Sequence, residues 1–247
     1  MKKRKVIMAM PVVIDIADKN INVNVFKEIF DYLAYIDNTF STYKENSEIT
    51  KINNAKINYK SYSQDMKKIL QLSKKTKDET NGYFDIHNNG KLDPSGIVKG
   101  FAILKASQIL KKKGYKNFYI DIAGDIEISG LNDKKEKWSV GLENPFFRTQ
   151  IIKVLALTNK GIATSGNYIR GSHIWNNKER SEDLENNVMS ISVIGKNVYE
   201  ADRFATAAFS MGENGINFIE NLSGFEAYMV LSNKNAIFTS GFENYVI

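Results

Sequence analysis

No cysteine occurs in the 247 residues, and histidine occurs only twice, as His87 and His173. The first absence excludes disulfides, thiolate metal ligands, cysteine nucleophiles and a lipid-modified cysteine, and it leaves the redox compartment unread. The second leaves a zinc centre or a serine triad very little to draw on, while hard-cation chemistry with oxygen ligands stays open. No Walker-type Gly-Lys-Ser/Thr run occurs, and no strand is followed by a Gly-x-Gly-x-x-Gly turn, so neither P-loop nor Rossmann chemistry fits. No apolar stretch approaches the ~18 residues that a spanning helix requires. The opening run Lys2-Lys3-Arg4-Lys5 before apolar residues imitates a secretory signal, but Pro11 interrupts it and no small-residue cleavage site follows. As written the chain is expected to be cytoplasmic; it would be exported or membrane-associated if its N-terminus has been trimmed.

What is present suffices for a sizeable core: 43% of the residues are hydrophobic. Thirty-four Lys plus Arg against 28 Asp plus Glu give a net charge of +6, which favours anionic partners without choosing among them. The densest runs, Lys2 to Lys5 and Lys111 to Lys113, fall at a chain end and a helix end, where solvated lysine is ordinary. No nucleic-acid partner is expected.

Apolar residues at Val25, Phe26, Ile29, Phe30, Leu33 and Ile36 predict a helix over Asn20 to Ile36. The same period predicts helices over Asp65 to Thr76, over Val98 to Lys112 before Gly114, over Tyr199 to Met211 before Gly212, and over Gly215 to Leu222. Strands are predicted over Val6 to Ile16, Phe118 to Ile128, Trp138 to Leu142, Ile151 to Leu157, Met189 to Ile194, Ala227 to Leu231 and Ala236 to Ser240. Clustering of helices and strands, without strict alternation, argues for a layered α+β arrangement.

Three constellations could carry chemistry. In Gly82-Tyr83-Phe84-Asp85 followed by Asp93-Pro94-Ser95-Gly96-Ile97-Val98-Lys99-Gly100, the glycines permit close backbone approach. Lys99 near a helix start suits an anionic phosphate; the plainer reading is a capping loop with Lys99 solvated. In Glu200-Ala201-Asp202-Arg203-Phe204-Ala205-Thr206, four-residue spacing puts the Asp202 carboxylate and the Thr206 hydroxyl on one helix face, able to grip Mg²⁺ from one side. Alternatively the threonine bonds back to the preceding turn and the aspartate serves the helix dipole. The small residues Ile162-Ala163-Thr164-Ser165-Gly166-Asn167-Tyr168, then His173-Ile174-Trp175-Asn176, suggest a substrate-facing loop or a closed core edge.

In this order, and with Met8-Ala9-Met10-Pro11, Phe40-Ser41-Thr42-Tyr43, Ser47 through Asn53, Ala123-Gly124-Asp125-Ile126 and Glu143-Asn144-Pro145, the segments resemble the FAD:protein FMN transferase family, the ApbE-like proteins once called thiamine biosynthesis lipoproteins. The resemblance covers nearly the whole chain. It implies an α+β fold, a layered mixed sheet with helices, T-fold related, in a two-lobed single domain over residues 1–247. It implies that Asp202, Thr206 and the main-chain carbonyl of Gly96 hold Mg²⁺ against the pyrophosphate of FAD, the substrate. Lys99 and Asp93 would contact the nucleotide, Met8, Tyr43, Tyr83, Phe84, Asp85 and Trp175 would line the FAD site, and Asn53 would lie on the adenylate side.

The implied reaction moves FMN from FAD onto a threonine or serine hydroxyl of an acceptor flavoprotein subunit and releases AMP, with Lys99 and Asp202 among the catalytic residues and His173 as the available base. After His173 the family shows Asp-Pro and then Thr-Gly, whereas this chain reads Trp175-Asn176-Asn177-Lys178-Glu179-Arg180. That departure keeps open an FAD pyrophosphatase, yielding FMN and AMP, and a non-catalytic FAD-binding protein.

Overall fold

The structure, a computed structural model, describes residues 1–166 and 187–247. His173 and Trp175 lie outside the described residues, as does the run from Asn167 to Arg180. Among the described residues, eight strands form one sheet: β1 (Lys2–Ile7), β2 (Met10–Ile16), β5 (Phe118–Ile122), β6 (Asp125–Ser129), β9 (Gly161–Gly166), β10 (Val188–Gly195), β11 (Glu226–Leu231) and β12 (Ala236–Phe238), side by side in that order. Two hairpins stand apart, β3 (His87–Asn88) with β4 (Lys91–Leu92) and β7 (Trp138–Glu143) with β8 (Ile151–Leu157). The α+β layering forms as expected, but every strand pairing among the described residues is antiparallel, where a mixed sheet was expected.

The α-helices among the described residues are α1 (Asn24–Phe40), α2 (Glu48–Asn53), α3 (Gln64–Glu79), α4 (Ser95–Lys112), α5 (Val198–Ser210) and α6 (Asn214–Glu220). Polar side chains cap three of them by accepting first-turn N–H groups: Ser47 from Thr50, Ser63 from Met66 and Asn197 from Glu200. The apolar stripe of α1 is buried as its period predicts. It packs with α2, α3 and α4 on β1, β2 and β5, while α5 and α6 pack on β9, β10 and β11. A third apolar cluster lies on the opposite face of the sheet, where Ile126, Ile128 and Ile194 meet Val140, Leu142, Leu155 and Leu157 of the β7–β8 hairpin. Among the described residues, no helix is long and apolar enough to cross a membrane.

Three expectations are corrected. Val6 to Ile16 is a hairpin, β1 with β2, turning at Met8 and Ala9 with φ of 57° and 56°. Phe118 to Ile128 is likewise a hairpin, β5 with β6, turning at Ala123 and Gly124 with φ of 51° and 91°. Two-residue turns with positive φ at both positions match strand twist, but neither carries the Asn-Gly or Asp-Gly pair that would announce it, so each sequence reads as one long strand. Finally, Gly161 to Gly166 is a strand, β9, and not the substrate-facing loop that was one of two readings left open for this segment, the other being a closed core edge. Its small residues reflect crowding against α5: a Cβ at Gly161 would lie 1.9 Å from the Val198 nitrogen.

Candidate active site

The hairpin turn between β5 and β6 fixes what the site is made of. Because Ile122 pairs with Asp125, the inward parity changes across the turn. Phe118, Ile120 and Ile122 point to the helices from β5, whereas Asp125 and Glu127 do so from β6, and Ile126 and Ile128 join the opposite face. Two carboxylates are thereby buried where α4 and α5 meet the sheet. Asp125, 1% exposed, pairs through Oδ2 with Lys99 Nζ of α4 at 2.7 Å. Its Oδ1 accepts from the Thr164 N–H of β9 at 3.2 Å. Lys99 is therefore buried and paired rather than solvated, although it still borders the cleft. Glu127 accepts the Val198 N–H at the start of α5 at 2.7 Å; burial pushes its carboxyl up to about 7 against the pull of that bond and of Lys111.

Next to this layer, α4 and α5 approach closely at two glycines one turn apart. A Cβ at Gly96 would stand 2.9 Å from Thr206 Cγ2, and one at Gly100 would stand 2.7 Å from Asp202 Cβ. The approach brings the Thr206 hydroxyl to 3.3 Å from the Gly96 carbonyl, to which it donates. The Gly100 N–H donates to Asp202 Oδ2 at 2.7 Å, fixing that carboxylate on the same helix pair. Ser165 Oγ of β9 lies 3.5 Å from Thr206 Oγ1. Asp202 and Thr206, paired by their spacing, and the Gly96 carbonyl, added to them by the resemblance, thus meet on one helix pair as one carboxylate, one hydroxyl and one carbonyl. Three hard oxygen donors of this kind suit Mg²⁺, which fills its remaining octahedral positions with water or phosphate. Among the described residues no group of three His, Cys, Asp or Glu gathers to hold a metal, so a carboxylate-rich cage is not what this geometry offers.

A cleft of about 720 Å³ opens beside the junction, between the turns at Met8–Ala9 and Ala123–Gly124, the end of α1, the start of α4 and the β7 strand. Met8, Tyr43, Asp93 and Lys99, which the resemblance assigned to the nucleotide, are among the residues that line it, with Tyr43 85% exposed at the rim. Apolar walls from Val13, Ile126, Val140 and Leu142 face polar groups at Thr164 and Ser192, whose hydroxyls lie 2.8 Å apart. Sequence reasoning missed Tyr119, Asp121 and Arg148, which also line the cleft. Burial raises the Asp121 carboxyl, and neighbouring Asp125 adds to the rise, against the Gly124 N–H, the Tyr119 hydroxyl and Lys99.

Other expected contacts are used within the protein. Asn53 gives both ends of its amide to Leu92, donating to the carbonyl at 2.9 Å and accepting the N–H at 2.8 Å. It faces a polar hollow of about 490 Å³ that shares Thr42 and Asp93 with the cleft, so it braces the loop leading to Asp93. Tyr83, Phe84 and Asp85 are not among the cleft's lining residues. Phe84 is buried, and its ring would meet a Cβ at Gly96 at 3.4 Å. Asp85 binds Lys77 at 2.5 Å and the His87 ring at 2.8 Å; although burial opposes it, these partners hold the carboxyl below the usual range.

The sequence profile of the ApbE family matches residues 8–90 and 86–229, a span that includes the cleft and the α4–α5 junction. The chain belongs to the ApbE family. Among its relatives is the FAD:protein FMN transferase of Vibrio cholerae, 30% identical over 131 residues, or 49% of this chain and 39% of that protein. The FAD:protein FMN transferase of Haemophilus influenzae is 25% identical over 158 residues, 60% of this chain and 45% of that protein. The matches to these two curated relatives thus span less than half of their length. The fold of this ApbE-family chain resembles the flavin transferase ApbE of Vibrio cholerae, with a TM-score of 0.81 at 20% identity, covering 99% of this chain and 98% of that one. It also resembles the ApbE protein of Thermotoga maritima, with a TM-score of 0.83 at 21% identity and the same coverage of both.

Proposed function

We propose that this ApbE-family chain transfers FMN from FAD to a threonine or serine hydroxyl of an acceptor protein and releases AMP, with Mg²⁺ bound at the α4–α5 junction. The observation that carries this reading is the convergence of Gly96 O, Thr206 Oγ1 and Asp202 on a helix pair whose close approach only glycine at positions 96 and 100 permits. The relatives' activity supports the choice of substrate.

The remaining chemistry follows from positioning. Asp202, Thr206 and the Gly96 carbonyl would hold Mg²⁺, which when bound supplies charge neutralisation to a pyrophosphate. The Gly100 N–H orients the Asp202 carboxylate, and the buried Lys99–Asp125 pair keeps the start of α4 fixed against β6. Met8, Tyr43 and Asp93 would receive the nucleotide and flavin in the cleft. The acceptor oxygen forms a new bond to the FMN-side phosphorus, the bridging P–O bond breaks, and AMP takes its electron pair. The proton of the attacking hydroxyl is assigned to His173 on the resemblance alone.

Incubation of the purified chain with FAD, Mg²⁺ and an acceptor peptide bearing a flavinylatable threonine, read by mass spectrometry, tests this. Labelled peptide with one AMP per label is expected. FMN and AMP with unlabelled peptide would replace the transferase by the pyrophosphatase, which the altered Trp175–Arg180 run favours. FAD recovered unchanged would leave a binding protein.

A further inference from the structure

Thr206 has one hydroxyl proton, and it points at the Gly96 carbonyl 3.3 Å away. Both oxygens belong to the donor set assigned to Mg²⁺ above, and the inference rests on that assignment. A cation between them draws a lone pair from each, so the proton must leave the carbonyl and turn to another acceptor. A hydroxyl without that acceptor would be a poorer ligand, since it would pay for an unsatisfied proton inside the protein.

Among the described residues, Ser165 Oγ is a side-chain oxygen placed to take it. It lies 3.5 Å from Thr206 Oγ1, at the outer edge of a hydrogen bond. It is 7% exposed and sits on β9 opposite Ile191 of β10. Its strand is pinned on either side by the preceding residue: the Thr164 N–H donates to Asp125 Oδ1 at 3.2 Å, and the Thr164 hydroxyl lies 2.8 Å from that of Ser192. We propose that Ser165 is a positioning residue for the metal, accepting the Thr206 proton when the cation binds and so turning the threonine lone pair toward it. The simpler alternative is a small buried serine filling space beside α5.

Mn²⁺ titrated into the metal-free purified chain, with free ion followed by electron paramagnetic resonance, separates the two. Ser165→Ala is expected to weaken Mn²⁺ binding about tenfold, the scale for losing a group that orients a ligand, while the metal-free melting temperature stays put. In a Thr206→Ala background the same change is expected to add nothing, because its effect runs through Thr206. Affinity within about twofold of the original chain, or an equal further loss in the Thr206→Ala background, would overturn the proposal. An original chain that takes up no Mn²⁺ overturns the metal assignment itself. None of these readings involves an acceptor, so the fate of the transferase reading is decided separately.

Discussion

Strands β5 and β6 lie side by side and face the same helices with opposite chemistry. From β5 come Phe118, Ile120 and Ile122, all fully buried in the apolar core; from β6 come Asp125 and Glu127, nearly as buried, each engaged by a lysine and a backbone N–H. Apolar packing on β5 tolerates many shapes and sets only where α1 to α4 lie. The carboxylates of β6 demand named partners on α4, α5 and β9, and those are the elements that carry Gly96, Asp202, Thr206 and Ser165. Burial of charge here costs stability and returns a fixed arrangement of helices around the candidate metal site.

The comparison breaks first at Asp125. Asp125→Ala leaves Lys99 buried without its partner and is expected to cost about 3–5 kcal/mol in urea unfolding, whereas Ile120→Val on β5 is expected to cost only ~1 kcal/mol. Equal losses would mean that the two strands do the same job.

Glu127 sharpens the contrast through pH. Its carboxyl is raised from 4.5 to about 7 by burial. The folded chain then binds the proton more tightly than the unfolded chain, so the stability linked to this proton is full below pH 4.5 and is lost as pH rises through about 7. Against Glu127→Gln, which keeps an acceptor for the Val198 N–H, the original chain is expected to lose stability across that window and to run parallel above it. Parallel curves throughout would remove Glu127 from the account.

Smaller effects follow at the loop and on the surface. Asn53→Ala removes two hydrogen bonds to Leu92 and is expected to cost about 1–2 kcal/mol, with a raised KM for FAD through a loosened Asp93 loop. A drop in kcat with KM unchanged would point instead to a contact with the reacting groups. Lys27→Ala, at an exposed pair with Asp31, is expected to change the unfolding free energy by no more than ~0.5 kcal/mol.

Much of this was legible in the sequence. The stripe of α1 and the four-residue spacing of Asp202 and Thr206 are periodic signals, and the helices formed around them. Hairpin turns at Met8–Ala9 and Ala123–Gly124 were not legible, because apolar residues keep recurring at even positions through each turn although the face they occupy changes there. Missing the second turn also hid the site's polarity, since only the parity change sends Asp125 and Glu127 toward the helices. Asp121 and Tyr119 escaped for the same reason: their side of the sheet is the cleft side, which no spacing declares. The two hydrogen bonds of Asn53 to Leu92 were not legible either, because that partner lies 39 residues away and leaves no local mark.

The central claim is that the chemistry sits at the α4–α5 junction. AMP released from FAD, measured by liquid chromatography across a Mg²⁺ series for the original chain and for Asp202→Ala, tests it most directly. The account predicts Mg²⁺-dependent release by the original chain and, for Asp202→Ala, release lower by at least about a hundredfold at equal folded concentration, the loss expected when a ligand of a catalytic cation is removed. Release by Asp202→Ala at the original rate would contradict it.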